Sequence, residues 1–133
     1  MIRIDLAFDG SGFLHLCTIR GHAGYARKGY DIVCAAVSVL IRTGTKVLSG
    51  YPALNVRSGA PERGVFWMEV ESPAGGAEFL DAAGTFLKEG FVSIAEEYPE
   101  FCTVTITEEN RWHENEGEAA QKTGATRIPT VLV

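Results

Sequence analysis

One histidine and one cysteine, twelve residues apart, are the side chains of this sequence best suited to covalent chemistry. His22 lies in a glycine-rich loop spanning residues 21–30, and Cys34 follows near the start of an apolar run. A thiol nucleophile is best held on a rigid element, with its base on a segment that can move toward it. The glycines of this loop, which permit unusual backbone angles and loop movement, are Gly21, Gly24 and Gly29.

Cys34 is predicted to lie at the beginning of a helix, where a thiolate is stabilised. Asp31 is a good N-cap, and it puts the sulfur close to the exposed backbone N–H groups and the positive end of the helix dipole. Asp31, Cys34 and Ser38 also share one helical face. Against this, a cysteine in an apolar helix is often a core residue, Asp31 can be a cap alone, and Ser38 can bond to the backbone. From the residues alone, a catalytic role and a packing role for Cys34 both stay open.

The remaining cysteines and histidines are weaker candidates. Cys17 and Cys102 fall in predicted strands and are typical of core residues, while His15 alternates within a strand and His113 lies in an acidic C-terminal region. Three cysteines without a CxxC pair predict neither a disulfide framework nor a zinc site, so we expect reduced thiols and no metal. The spacing of the loop glycines does not match a phosphate-binding loop.

The composition is typical of one globular domain without an export signal. The chain has 133 residues, of which 46% are hydrophobic and 22% charged. Asp5 lies where a signal peptide would have its apolar centre, and the apolar run at residues 32–41 is too short to span a bilayer. We therefore expect a cytoplasmic protein without membrane contact.

Charge is distributed unevenly along the chain. Residues 1–50 carry six Lys and Arg against three Asp and Glu, whereas residues 51–133 carry six against fourteen. Part of the positive charge flanks the histidine loop, where it would favour a thiolate. A basic N-terminal half is also compatible with salt-dependent RNA binding, but the net charge of -5 argues against a direct nucleic-acid partner.

The apolar pattern predicts an α+β fold with elements in the order β-β-α-β-β-α-β. Two helices would pack on one face of a mixed, mostly antiparallel sheet of about five strands. The predicted helices are Ile32 to Thr43, ended by Gly44, and Phe79 to Tyr98, ended by Pro99. The predicted strands are Ile2 to Phe8, Phe13 to Ile19, Lys46 to Leu54, Gly64 to Glu71 and Phe101 to Thr107. The segment Asp9-Gly10-Ser11-Gly12 predicts a turn after the first strand, and the Gly and Pro residues around Ser58 to Gly64 predict another. The apolar segment at residues 127–133 is compatible with an edge strand or with disorder.

The motif Gly21-His22-Ala23, followed by the sequence GYDIVCAAVS at residues 29–38, resembles the signature of the ribosomal-processing cysteine proteases, the Prp or YsxB-like family. The segment Glu97-Tyr98-Pro99 and the strand after it are also similar to that family. The likeness covers about residues 1–107. It predicts a Prp-like protease domain over 1–107 and an acidic linker with a C-terminal extension of unknown role over 108–133.

This resemblance implies a mechanism, a substrate and an assembly. It implies that Cys34 is the nucleophile, that His22 is the general base and then the general acid, and that no cofactor takes part. The family's substrate is the N-terminal extension of ribosomal protein L-twenty-seven, and the family's members form homodimers. The residues expected to line or support the substrate site are Asp31, Ser38, Gly21, Ala23, Gly24 and Gly29.

These observations favour a cytoplasmic cysteine endopeptidase. The main alternative is a non-catalytic, ribosome-associated binding or assembly module that holds a peptide in the same cleft. The two hypotheses differ in the reactivity of the thiols. A nucleophile at Cys34 should react with iodoacetamide at neutral pH faster than Cys17 or Cys102, whereas a core cysteine should not.

Overall fold

The computed structural model describes residues 1–21, 28–109 and 125–128, with side chains described for 1–21 and 32–109. Within these residues, the chain forms two helices and six strands, and each helix follows a pair of strands. The strands are β1 (Ile2–Phe8), β2 (Leu14–Arg20), β3 (Asn55–Glu62), β4 (Val65–Glu71), β5 (Cys102–Glu109) and β6 (Ala125–Ile128), and the helices are α1 (Lys28–Ser49) and α2 (Ala77–Glu97).

The described strands form one mixed sheet in the order β3-β4-β2-β1-β5-β6. β1 and β5 run parallel, and all other neighbouring pairs are antiparallel. The predicted α+β class, with its order of seven elements and its mostly antiparallel sheet, is confirmed. Of the C-terminal segment 127–133, for which two outcomes were open, residues 127 and 128 belong to a short edge strand beside β5, and residues 129–133 lie outside the described residues.

The side chains of β1 show how the sheet separates its two faces. Ile2, Ile4 and Leu6 are buried, while Arg3 and Asp5 between them are exposed. Since side chains alternate across a strand, the large apolar residues of β1 point to the face that the helices cover. Both helices bury an apolar stripe against that face.

The predicted turn between β1 and β2 is present and is held by one carboxylate. The Oδ1 atom of Asp9 accepts hydrogen bonds from the backbone N–H groups of Ser11 at 2.9 Å and Phe13 at 3.0 Å. Gly12 has φ +90°, a backbone conformation that favours glycine. The opening hairpin is therefore specified locally by Asp9 and Gly12.

Helix α1 is longer than the sequence predicted at both ends. It begins three residues before Asp31, so Asp31 lies inside the first turn and is not the N-cap, and it continues five residues past Gly44. Gly44 is a packing position, because a Cβ atom there would lie 2.6 Å from Cδ2 of Leu87 on α2. The prediction that Gly44 ends the helix was wrong because its role depends on a neighbour distant in sequence.

The predicted strand at residues 46–54 is also wrong. Its first four residues form the last turn of α1, where Leu48 is fully buried. β3 runs instead through the segment predicted as a turn on account of its Gly and Pro residues. β3 is an edge strand, which tolerates Pro61, and the indole of Trp67 on β4 covers Gly59 closely.

The segment Ile32–Ser49 of α1 is, by length and composition alone, apolar enough to cross a membrane. It extends the apolar run at residues 32–41. A core helix of a globular domain passes the same test, and α1 buries Val33, Val37 and Ile41 against the sheet. Apolar residues exposed on the outer side of α1 are Ile32, Val39 and Val47.

Candidate active site

Cys34 lies on the side of α1 that faces an open cleft of about 570 Å³. Along the α1 wall, Cys34, Ser38 and Arg42 follow one another at intervals of four residues, which places them on one helical face. The Cys34 side chain is half-buried. The floor and the opposite wall are mostly apolar and include Ile2, Ile19, Val37, Ile41, Val65 and Phe66. A thiol on a rigid wall of an open, apolar cleft is accessible to a peptide.

Two glycines join the sheet to the far wall of this cleft. The backbone N–H of Gly21 donates a 2.8 Å hydrogen bond to the carbonyl of Gly64, and both residues line the cleft. Gly64 has φ +82°, and a Cβ atom there would lie 2.1 Å from the Gly21 carbonyl oxygen. A Cβ on Gly21 would in turn lie 2.9 Å from the Cα of Ile2. Neither position accommodates a side chain without movement of the backbone.

The predicted site residues are brought together only in part. Gly21, Cys34 and Ser38 line the same cleft. His22, Ala23 and Gly24 lie outside the described residues, so their roles stay predictions. Gly29 and Asp31 both lie in the first turn of α1, and the side chain of Asp31 is outside the described part of the chain.

Two parts of the sequence argument need correction. Gly29 was predicted to belong to the mobile loop, but it is helical because α1 begins at Lys28. For the same reason Cys34 is the seventh residue of α1, beyond the first turn in which backbone N–H groups and the dipole act on an anion. The position of Cys34 in the cleft, rather than at a helix end, is what distinguishes it.

The other two thiols are held in the protonated form by the core. Burial, with a smaller contribution from the Asp5 carboxylate, raises the pKa of the Cys17 thiol to about 12. Burial alone raises the pKa of Cys102 to about 11. Since the thiolate is the nucleophile, neither residue is suited to catalysis at neutral pH. Their assignment as core residues is confirmed, because both are almost fully inaccessible.

Sequence reasoning missed Arg42 and the residues of the β3–β4 hairpin that line the cleft. The signal for Arg42 was present, since it continues the four-residue spacing of Cys34 and Ser38. No comparable signal exists for Phe66, because its place in the cleft depends on how β4 pairs with β2. An alternating strand pattern is explained equally well by packing.

The arrangement supports covalent chemistry at a thiol. The cleft is open along α1 and mostly apolar, so it can hold an extended peptide against Cys34. Within the part of the chain that the structure describes, no group of three or more His, Cys, Asp or Glu side chains is placed to hold a metal ion. The described chemistry of the cleft is therefore that of Cys34, Ser38 and Arg42.

In a comparison with protein families, residues 1–103 match the family described as cysteine protease Prp. This match includes α1, the cleft and most of the sheet. No curated protein matches the sequence.

Several solved structures are similar to this chain. SMU.848 from Streptococcus mutans is 28% identical, with a TM-score of 0.71 over 82% of this chain and 96% of the other. The essential ribosomal processing protease Prp from S. aureus, in complex with a substrate peptide, is 20% identical, with a TM-score of 0.71 over 80% and 99%. The same protease with a covalently linked product peptide has a TM-score of 0.68 at 20% identity over the same shares.

Proposed function

Since this chain belongs to the cysteine protease Prp family, and is a cysteine protease, we propose that it removes the N-terminal extension of ribosomal protein L-twenty-seven. The single observation that carries this proposal is the position of Cys34 on one wall of an open peptide-sized cleft. Family membership favours this function over a non-catalytic peptide-binding module. The S. aureus relative, which is named as a ribosomal processing protease, supports the choice of a ribosomal substrate.

The proposed chemistry is acyl transfer to Cys34. The thiolate attacks the scissile carbonyl carbon, and His22 takes the thiol proton and later gives it to the departing amine. Backbone N–H groups that are not bonded within α1 would stabilise the oxyanion. Water then hydrolyses the thioester, which releases the new carboxyl end and restores the thiol.

The loop between β2 and α1 supplies the base in this scheme. Gly21 lines the cleft and is fixed to Gly64 by a hydrogen bond, so the loop that carries His22 begins at the edge of the cleft. We assign Ala23, Gly24 and Gly29 to the segment that closes over the bound peptide. The flexibility of glycine would allow the closure.

Two further residues are assigned supporting roles. Ser38 lies on the cleft wall one turn beyond Cys34, where its hydroxyl faces the bound peptide. Asp31, one turn before Cys34 on the same helix, would orient the His22 imidazole.

We further propose that the protein acts in the cytoplasm as a homodimer. Support comes from the outer surface of the helices, where apolar side chains are exposed in the single chain. Such side chains would be covered in a dimer that uses the helices as its interface. The most exposed of these apolar side chains is Phe86, at 70%. Sedimentation velocity of the protein and of a Phe86→Glu variant would measure the oligomeric state, and a wild-type monomer at micromolar concentration would contradict the dimer.

The central experiment measures cleavage of a synthetic peptide that spans the N-terminal extension and the mature start of the host's L-twenty-seven. Mass spectrometry should find one cut with the wild-type protein and no cut with Cys34→Ala or His22→Ala. Because Cys34 is half-buried at the cleft surface, Cys34→Ala should keep the fold, which circular dichroism can verify. Cleavage by Cys34→Ala at the wild-type rate would refute the proposal.

A further inference from the structure

A second depression, of about 530 Å³, lies further along α1 from the cleft beside Cys34. The two share Arg42 and Phe66, so they adjoin at these side chains between α1 and the β3–β4 hairpin, and together we call them the groove. We call the second depression the distal pocket. The residues that line it are Arg42, Thr43, Thr45, Lys46, Ser58 and Phe66.

The distal pocket is cationic. Arg42 and Lys46 are both exposed, and neither forms an ion pair within the part of the chain that the structure describes. They lie four residues apart on α1, where two like charges repel each other. The remaining polar lining consists of hydroxyl groups, and no described residue of either depression is acidic. An anionic group between Arg42 and Lys46 would relieve the repulsion.

Arg42 also contacts the backbone of its own helix. Its Nε–H donates a 3.4 Å hydrogen bond to the carbonyl oxygen of Ser38, one turn closer to Cys34. Arg42 lies at the junction of the cleft and the distal pocket, because it lines both of them. A peptide that leaves the cleft along α1 must pass Arg42 and then Lys46.

The repeat of the helix relates these positions to residues of an extended peptide. Four residues of α1 rise about 6 Å, and two residues of an extended strand rise about 6.6 Å. Arg42 therefore lies about 12 Å along the helix axis from Cys34, and Lys46 about 18 Å. These distances correspond to about the fourth and to the fifth or sixth peptide residue from the one attacked.

We propose that the distal pocket is a subsite for an acidic side chain of the substrate, four to six residues from the scissile bond. The proposal rests on the proposed protease function, because it takes Cys34 as the point of attack. Carboxylate recognition by Arg42 and Lys46, with hydroxyl groups nearby, would then set part of the sequence specificity.

The first test measures kcat/KM for peptides based on the cleaved substrate, each with one Asp or one Lys at the fourth, fifth or sixth residue on either side of the cut. The wild-type protein should prefer Asp to Lys by about fivefold at one or more of these positions, and the preference should decrease with salt. Arg42→Glu/Lys46→Glu should reverse it. Equal rates for the Asp and Lys peptides at every position would overturn the proposal.

A matched variant controls for net charge. Arg3→Glu/Arg63→Glu makes the same change in charge on exposed residues that do not line the groove and that, like Arg42 and Lys46, form no ion pair within the described part of the chain. It should keep the preference for Asp. If it reverses the preference as the groove variant does, the effect comes from overall charge and the distal pocket is not a subsite.

A binding measurement separates this inference from the protease function. Fluorescence anisotropy of labelled Asp and Lys peptides with Cys34→Ala reports on the groove without cleavage. Tighter binding of the Asp peptide, lost in the variant that also carries Arg42→Glu/Lys46→Glu, supports the subsite even if the wild-type protein cleaves nothing. Cleavage without any discrimination in binding or rate keeps the protease function and rejects the subsite.

Discussion

The backbone N–H of Gly21 bonds to the carbonyl of Gly64 at 2.8 Å, and this bond connects the residue before His22 to the hairpin that forms the far wall of the cleft. The close approach requires that Gly64 lacks a Cβ atom, while the backbone of Ile2 leaves no room for a Cβ atom on Gly21. The geometry of the cleft edge therefore depends on two glycines that take no part in the chemistry.

Gly64→Ala should reduce both stability and activity. A Cβ atom at residue 64 would meet the Gly21 carbonyl oxygen at 2.1 Å, and the alanine would have to adopt a left-handed backbone conformation. We therefore expect the free energy of unfolding to decrease by about 2 kcal/mol or more. Because the clash displaces Gly21, kcat/KM should decrease more than the fraction of folded protein does. Urea unfolding and peptide cleavage measure the two effects.

Gly12→Ala is the matched control for this variant. Gly12 also has a positive φ, of +90°, but a Cβ atom there meets nothing within 4 Å. It should lose about 1 kcal/mol from backbone strain alone and keep full activity per folded molecule. If Gly64→Ala behaves like Gly12→Ala in both measurements, the contact with Gly21 has no importance for the site.

Gly44→Ala should destabilise the protein even though alanine favours a helix. A Cβ atom at residue 44 would lie 2.6 Å and 2.9 Å from the two δ carbons of Leu87, which is buried and cannot move freely. The gain in helix propensity of about 1 kcal/mol is smaller than the overpacking penalty of about 1 to 3 kcal/mol. We expect a net loss of about 1 kcal/mol in the free energy of unfolding.

A double-mutant cycle checks the cause of this loss. In a Leu87→Ala background the obstructing methyl groups are absent, so Gly44→Ala should become neutral or stabilising. An equal loss in both backgrounds would show that Leu87 is not the reason for glycine at residue 44.

Alkylation should distinguish the three cysteines. With iodoacetamide at pH 7, peptide mapping should find modification at Cys34 well before Cys17 or Cys102, whose thiols are buried and have a raised pKa. Denaturant should make all three react at similar rates. Faster reaction of Cys17 than of Cys34 in the native protein would contradict the assignment of the nucleophile.

The raised pKa values also predict a loss of stability in alkali. An unfolded thiol has a pKa of about 8.5, so the folded state favours the protonated form of Cys102, whose pKa is about 11. Its contribution to stability is complete below about pH 8.5 and is lost as the pH rises toward 11. Urea unfolding of the wild-type protein and Cys102→Ala between pH 8 and 10.5 should give a flatter pH dependence for the variant. Parallel curves would exclude the effect.

Ser38→Leu should impair substrate binding without affecting stability. Ser38 is exposed on the cleft wall one turn beyond Cys34, and a leucine there would fill part of the groove. We expect kcat/KM to decrease on the order of tenfold, mainly through KM. Val39→Leu, on the exposed outer side of α1, should have wild-type kinetics. Similar values of KM for the two variants would remove Ser38 from the site.

Local patterns predicted most of the fold, and the errors occurred where a residue's role depends on a distant neighbour. The alternation of Ile2, Ile4 and Leu6 was sufficient for β1, and Asp9 for the turn after it. Nothing in the sequence around Gly44 distinguishes a glycine that ends a helix from a glycine at which two helices pack closely. The same holds for the β3 segment, whose glycine and proline indicate a turn unless the edge position of the strand is known.

The candidate site was predictable on one wall only. Cys34 and Ser38 follow from helical spacing, and the same spacing extends to Arg42. The opposite wall is set by the register between β2 and β4, which pairs Ile19 with Phe66. Strand register across an intervening helix of 22 residues has no signature in the sequence.

The parallel pairing of β1 with β5 has a consequence for the order in which the enzyme is assembled during translation. Ile2 forms part of the cleft floor, yet its N–H bonds to the carbonyl of Phe101, and Ile2 pairs with Cys102. While residue 101 is still inside the ribosome exit tunnel, the nascent chain already contains Cys34. It lacks the contacts with Phe101 and Cys102 that hold Ile2 in the cleft floor. The floor beneath the nucleophile is thus completed only when nearly the entire domain has been synthesised, however early the first hairpin and α1 form.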